Sequence, residues 1–347
     1  MQARTLPDPR VFAQQHEHPM LRLAVQGERN ALVRALRVAL QHGLDRDVTS
    51  AFEAGSSPPA WQLLSDALVA ALEPESDAQA TVTRLFALPL LVVTGGAAGV
   101  DVPAVLPAVE RVRALFDANG ALGPVRNFGL CNALCNAGAI ERLPASRLYR
   151  IAQGLEASAS ALDVPPAPIV TGGTDEEVHL RFLVGAAVAP AQAPSFLETG
   201  ADIGGWGMAL MRELAEQLEV KGLSLLPIPR PPMALPTAPM RGRQAREELA
   251  FQVFVSRVVR ECRSQTGDPD TLVASVSPAA VGVRFSSPFD PGRVEIFRWQ
   301  LTPADRIEQV QEAILALLRE CRLDRVEVSD AVLAPETFAA GRLPGDR

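Results

Sequence analysis

The hydrophobic positions of the first half recur at helical spacing. In NALVRALRVALQHG, Leu32, Leu36 and Leu40 fall on one face, and Gly43 suits a helix C-terminus. SSPPAWQLLSDALVAALEP sets serines ahead of Pro58 and Pro59, an N-cap followed by a first turn, then aligns Trp61, Leu64, Leu68 and Leu72. PAVERVRALFDANG runs through Val109, Val112 and Phe116 to a stop at Asn119-Gly120, and PASRLYRIAQGLEA is a further short helix. Only LLVVT reads as a strand in this half. The pattern predicts a flexible leader over 1–19 and a helical domain over 20–162.

After a Ser-, Pro- and Gly-rich stretch without a period, which places a linker at 163–175, the texture changes. EVHLRFLVGAAV reads as a strand, GWGMALMRELAEQLE as a helix and GLSLLPIP as a strand. RQAREELAFQVFVSRVVRECR is a long helix. TLVASVS, VGVRFSS and VEIFRWQL form a meander, TPADRIEQVQEAILALLRECR an amphipathic helix, and VEVSDAVL a closing strand. This order predicts a mixed sheet covered by helices over 176–335, with a flexible tail over 336–347. The expected class is α+β: a helical N-terminal domain and a C-terminal mixed-sheet α/β domain. The tetrapeptide Arg-Glu-Cys-Arg ends two of the helices, at 260–263 and 319–322, and a strand containing Val-Ser follows each. That pattern fits a degenerate helix–strand duplication, or arginines gathered independently at two helix ends.

Composition narrows the function classes. The 347 residues are 48% hydrophobic and 21% charged, enough for a sizeable core. The net charge of −7 argues against sequence-independent nucleic-acid binding, which needs a basic surface. Lys221 is the sole lysine, and no P-loop motif surrounds it. The uncharged runs Leu85–Val100 and Phe182–Leu197 are too short to span a bilayer, and both contain proline. The polar first twenty residues are unlike a signal peptide, so a cytoplasmic, bacterial-type protein is expected.

Several stretches invite chemistry. VVTGGAAGVD resembles the glycine turn of short-chain dehydrogenases at Thr94, Gly95 and Gly99. Asp101 stands in place of the last glycine, and Gln153 rather than lysine follows Tyr149 at the required spacing. A glycine-rich break between buried helices is the plainer reading. FLETGADIGGWGMALMRELAEQL resembles the cofactor loop of class I methyltransferases at Glu198, Gly200 and Gly204, with Asp202 replacing the middle glycine. Even as a plain turn into a helix, Gly204, Gly205 and Trp206 bring free N–H groups that suit an anion. In TDEEVHLRF, Glu177 and His179 share a strand face, a charged strand start with a weaker claim to acid–base work. The Pro227–Arg246 segment carries Arg230, Arg241, Arg243 and Arg246 without an acid. It suits docking to a partner or an acidic ligand, or a surface crossover.

LCNALCNAG, residues 130–138, repeats at a spacing of four and reads as a helix stopped by Gly138. Cys131 and Cys135 share one face, Asn132 and Asn136 another. Two thiols make at most half a zinc site, and Cys262 and Cys321 bring no further motif, so burial is expected and no metal. The asparagines either hydrogen-bond to the loop around Arg126 and Asn127 or line a cleft as a polar pair.

The order and texture of VHLRFLVGAAVAPAQAPSF, DTLVASVSPAAVGVRFSS, VEIFRWQL and LLRECRLDRVEV resemble a family of uncharacterised beta-proteobacterial proteins of unknown function. The resemblance covers the C-terminal half and implies the two-part architecture, with no activity or site residues. The expected function is a non-catalytic cytoplasmic protein acting through a protein partner or self-association, without cofactor, nucleic acid or membrane. The alternative is a divergent nucleotide- or S-adenosylmethionine-dependent transferase using Gly200–Trp206.

Overall fold

The computed structural model describes residues 18–55, 57–73, 81–94, 101–102, 104–154, 162–170, 177–192, 203, 205–218, 223–266, 273–277, 281–287, 290–323 and 326–328. The expected leader, up to residue 17, and the expected tail lie outside these. Helices and largely antiparallel sheets make the chain α+β. It divides into two compact units, the first running to Gly242 and the second covering Arg243–Leu343.

The first unit opens with helices α1 (Pro19–Val25), α2 (Arg29–Gln41), α3 (Asp45–Ala54) and α4 (Pro58–Leu72). The sequence signals act as read. Leu32, Leu36 and Leu40 are buried, Gly43 takes φ +68°, and Ser57 caps α4 by accepting from the Ala60 N–H. The chain continues through β1 (Thr81–Thr94), β2 (Asp101–Val102), α5 (Val109–Ala118), β3 (Asn127–Cys135), α6 (Ala137–Glu141), α7 (Ala145–Ala152), β4 (Ile169–Val170) and β5 (Glu177–Pro190). Helix α8 (Gly207–Leu218), β6 (Leu223–Pro227), β7 (Met233–Ala234) and a 3-10 turn (Leu235–Thr237) follow. Helix α9 (Ala238–Thr266) then runs through the boundary between the units.

The first unit's main sheet has the order β3-β5-β1-β6, with β7 also on β1. Strand β1 pairs with β5 along its whole length, from Thr81↔Pro190 to Thr94↔Glu177. Residues before and after the expected linker therefore share one sheet, and the helical domain over 20–162 is not a separate body. The division falls at 242/243 instead. One face of β1 (Phe86, Leu88, Leu90 and Val92) packs with Phe116 of α5 and Trp206, Leu210 and Leu214 beside and on α8. On the other face, Gly242 of α9 lies so close to β5 that a Cβ there would stand 2.8 Å from the Phe182 ring. With both faces covered, β1 and β5 lose the alternation that marks a half-buried strand.

Proline is normally confined to strand edges because it cannot donate to a ladder. Pro89 sits mid-strand in β1, opposite Phe182 of β5. On the other edge β7 pairs with Phe86 and Ala87 and β6 takes over from Leu90, so Pro89 falls in the gap between them.

LCNALCNAG is not a helix. Its first residues belong to β3, and Asn136 then starts α6 as its N-cap, with Oδ1 accepting from the Ala139 N–H at 2.8 Å. A spacing of four is two full strand periods, so Leu130 and Leu134 share a face in either structure. The tertiary context decided. β3 bulges against β5 between Leu130 and Leu134, and residues 104–106 pair with the bulge: Leu106 N–H donates to Asn132 O and Leu134 N–H to Ala104 O, both at 2.7 Å.

In the second unit α9 is followed by β8 (Val273–Ser277), β9 (Gly282–Ser287), β10 (Asp290–Arg298), α10 (Ile307–Glu320) and β11 (Val326–Val328), in the sheet order β10-β9-β8-β11. The expected meander is present and antiparallel, and β11 joins parallel to β8. Phe251, Phe254, Val255 and Val258 of α9 and Ile314 and Leu318 of α10 pack with Val283, Phe285 and Phe297 of the sheet. The two Arg-Glu-Cys-Arg segments thus precede two strands that lie side by side, and Cys262 and Cys321 both touch this core.

Candidate functional site

The glycine loops lack the frame their chemistry needs. Nucleotide-binding loops work at the carboxyl ends of parallel strands that run into helices. Every pairing among the described strands of the first unit's main sheet is antiparallel. Gly95–Val100 and Glu198–Asp202 lie outside the described residues, as does Gly204. At the start of α8, the Trp206 N–H expected to serve an anion is engaged within the chain. The Trp206 and Gly207 N–H groups both donate to the Ile203 carbonyl, and those of Ala209 and Leu210 to Trp206 O. The Trp206 indole stacks edge-on against Phe116, centroids 5.1 Å apart, and so belongs to the core.

The other candidates separate likewise. Asn132 is exposed on β3 while Asn136 caps α6, and the carboxamide Oδ1 of Asn127 accepts from Arg113 at 2.8 Å. They form no polar pair. The Pro227–Arg246 segment folds back into the molecule: Met233, Ala234, Leu235, Thr237 and Ala238 are buried. Arg230 and Arg241 are exposed, Arg241 with its Nη2 3.7 Å from Asp66; Arg243 is half-buried and Arg246 buried. His179 Nε2 lies 3.5 Å from Glu177 Oε2, the shared strand face the sequence implies. Burial pushes the Cys131 thiol up to about 11 and the Cys135 thiol up to about 12, far from a nucleophile's range. Among the described residues no cluster of His, Cys, Asp and Glu is placed to hold a metal ion, and no helix is long and apolar enough to cross a membrane.

A different residue stands out. Arg84 is the one charge in the strand TVTRLFALPLLVVT. It lines a small, half-open recess in the first unit. The recess forms where the chain leaves the β1 ladder after Ala234 and turns at Pro236. Its apolar walls are Val69 and Leu72 of α4, Leu85 of β1, Ala152 of α7, Ala234 and Pro236; Thr83, Glu73 and Arg84 supply the polar part. The Arg84 side chain is only 10% exposed, and neither its Nε nor its Nη1 has a hydrogen-bond partner. Glu73 Oε1 is 3.7 Å from Nε, too long for a hydrogen bond.

The adjoining helix end shows why Arg84 is left over. The last carbonyls of an α-helix have no partner within it and ordinarily attract such a guanidinium. Here three of them are taken. Arg37 donates to Ala70 O at 3.2 Å, Ala71 O at 3.4 Å and Glu73 O at 3.0 Å, and Gln153 Nε2 donates to Leu72 O at 3.2 Å. Arg84 is therefore a buried cation beside apolar walls, its charge paired with Glu73 but its Nη1 without an acceptor, and an unmet buried donor is costly unless something satisfies it.

No family model, curated protein or solved structure matches the chain.

Proposed function

We propose that this is a non-catalytic cytoplasmic protein that acts by binding, and that the Arg84 recess is its point of contact with an anionic group on the ligand or partner. The observation that carries the reading is Arg84, which lines the recess and whose buried Nη1 has no acceptor. A guanidinium holds its proton and serves as an electrostatic anchor rather than an acid or base. The remaining wall is mostly apolar, which suits recognition.

The test is thermal unfolding of the full chain against a panel of anions: chloride, sulfate, phosphate, acetate and butyrate. At least one is expected to raise the melting temperature by about 2 °C or more at saturation, and to lose that effect in Arg84→Gln. An identical response of both proteins to every anion overturns the reading.

A further inference from the structure

We infer that the edge of the second unit's sheet is a self-association surface: β10 pairs antiparallel with β10 of a second copy about a two-fold axis at Ile296, and the two α9 helices lie side by side over the joined sheets. This inference is independent of the Arg84 recess.

The backbone defines the edge. Strand β10 ends the order β10-β9-β8-β11, and among the described strands it pairs with β9 alone. The Trp299 N–H donates to Val281 O at 3.0 Å, toward β9. Inward and outward residues alternate in an antiparallel ladder, so Phe297 and Glu295 also turn their backbone groups to β9, and those of 294, 296 and 298 point off the edge. The register shift between Asp290 and Val294 interrupts the edge at one end, and at the other the Gln300 N–H donates to Glu247 Oε2 at 3.3 Å. What lies between is a five-residue edge with Ile296 at its centre. An antiparallel copy in that register sets 296 against 296 and 294 against 298, so each outward donor meets an outward acceptor. Exposed edges are commonly blunted by lysine or proline, and residues 294–298 contain neither.

Helix α9 indicates what covers the edge. Phe251 and Phe254 stack on Phe297 with centroids 5.1 and 5.4 Å apart, so the helix lies over β10. Arg257 reaches down to Glu295 Oε2 at 3.1 Å from one flank, while Val255, nearly opposite it on the helix, is fully buried. The Arg257 flank is thus the one turned away from the rest of the unit. Val253 stands one helical turn before Arg257 on that flank and is 63% exposed, and half-buried Ala250 adjoins it. A bare strand from another protein would pair with the edge and leave Val253 in water. A second copy brings a strand and a helix in the same two layers and covers both. Five paired residues alone hold weakly, and the helix flank adds the apolar burial such a contact needs.

The test is sedimentation of the full chain at increasing concentration, combined with cross-linking by copper phenanthroline. A particle of twice the 37.0 kDa chain is expected. Val253→Glu, at a position exposed in the single copy, should weaken association about tenfold or more while leaving the circular dichroism unchanged. Ile296→Cys should cross-link to its own counterpart, because paired Cα atoms at the axis stand about 5.5 Å apart, and Arg298→Cys should not, its counterpart lying four residues along the joined strands. Wild type controls for the native cysteines. If Ile296→Cys does not fold, slower amide exchange at 296 as the wild type is concentrated takes its place. Loss of association in Val253→Glu together with the signal at 296 supports the inference. A dimer that survives Val253→Glu, or that cross-links at 298 and not at 296, overturns it. A single-copy mass at every concentration also overturns it and leaves the edge to a different protein or to another segment of this chain.

Discussion

In the first unit's sheet β1 and β5 are buried along most of their length, whereas in the second unit Arg284 of β9 is exposed between the buried Val283 and Phe285. The two sheets solve the same problem with different amounts of cover. The first lies between layers and has no wet face in its middle. The alternation in the second marks a face that meets water, with the packed face under α9 and α10. A strand covered on both sides cannot yield anywhere along its length, while a strand covered on one side yields at every second residue.

That contrast is most directly broken at Gly185 of β5. A Cβ there would stand 2.5 Å from Phe86 Cζ and 2.6 Å from the Gly129 carbonyl oxygen, and the backbone atom cannot turn aside. Gly185→Ala is expected to destabilise the protein by about 3 kcal/mol in urea unfolding; a loss under 0.5 kcal/mol would show that the doubly covered sheet can relax.

An intermediate effect comes from the thiols of β3 in the same sheet. Burial raises Cys131 to about 11 and Cys135 to about 12, from an ordinary value near 9.0. Because the folded values lie above the unfolded ones, the contribution is fully present below about pH 9 and is lost as the pH rises through 11 and 12. The wild type should lose of order 2 kcal/mol more than Cys131→Ala/Cys135→Ala between pH 8.5 and 10, measured by denaturant titration. Parallel pH profiles for the two proteins would show that these thiols are wetter than the sheet implies. The smallest effect is expected on the wet face: Arg284→Ala should stay within about 0.5 kcal/mol of wild type by the same urea titration.

The same contrast explains what could be read from the sequence. The second unit's elements follow its patterns closely: VGVRFSS alternates, RQAREELAFQVFVSRVVRECR is a long helix, and each forms as read. The caps at Ser57 and Gly43 were legible because they depend on local chemistry alone. Strand β1 reads as a strand only at its LLVVT end, since a strand buried on both faces carries no period to detect. β3 reads as a helix because four is a multiple of the strand repeat and nearly equals the helix repeat. The Pro-Arg segment reads as a free surface loop, but Met233 and Ala234 extend a ladder whose other strand lies well over a hundred residues earlier, and nothing local announces that. Arg84 had a signal: a lone charge inside an apolar run of β-formers. What the sequence could not show is that Arg37 and Gln153, from two other helices, would occupy the carbonyls Arg84 might otherwise have used.

Pro89 has a consequence for biosynthesis. β1 leaves the ribosome long before its partners: Glu177 of β5 is more than eighty residues beyond Thr94, a delay on the order of 10 s at ordinary elongation rates. Through that interval the nascent chain carries a long apolar segment with strand propensity, the kind that pairs with copies of itself on neighbouring polysomes. A proline at its centre denies such a partner one donor and interrupts any ladder that starts to grow. In the finished protein the interruption costs little, because it falls in the gap between β7 and β6. The residue that looks least suited to a central strand thus guards it while it is still alone.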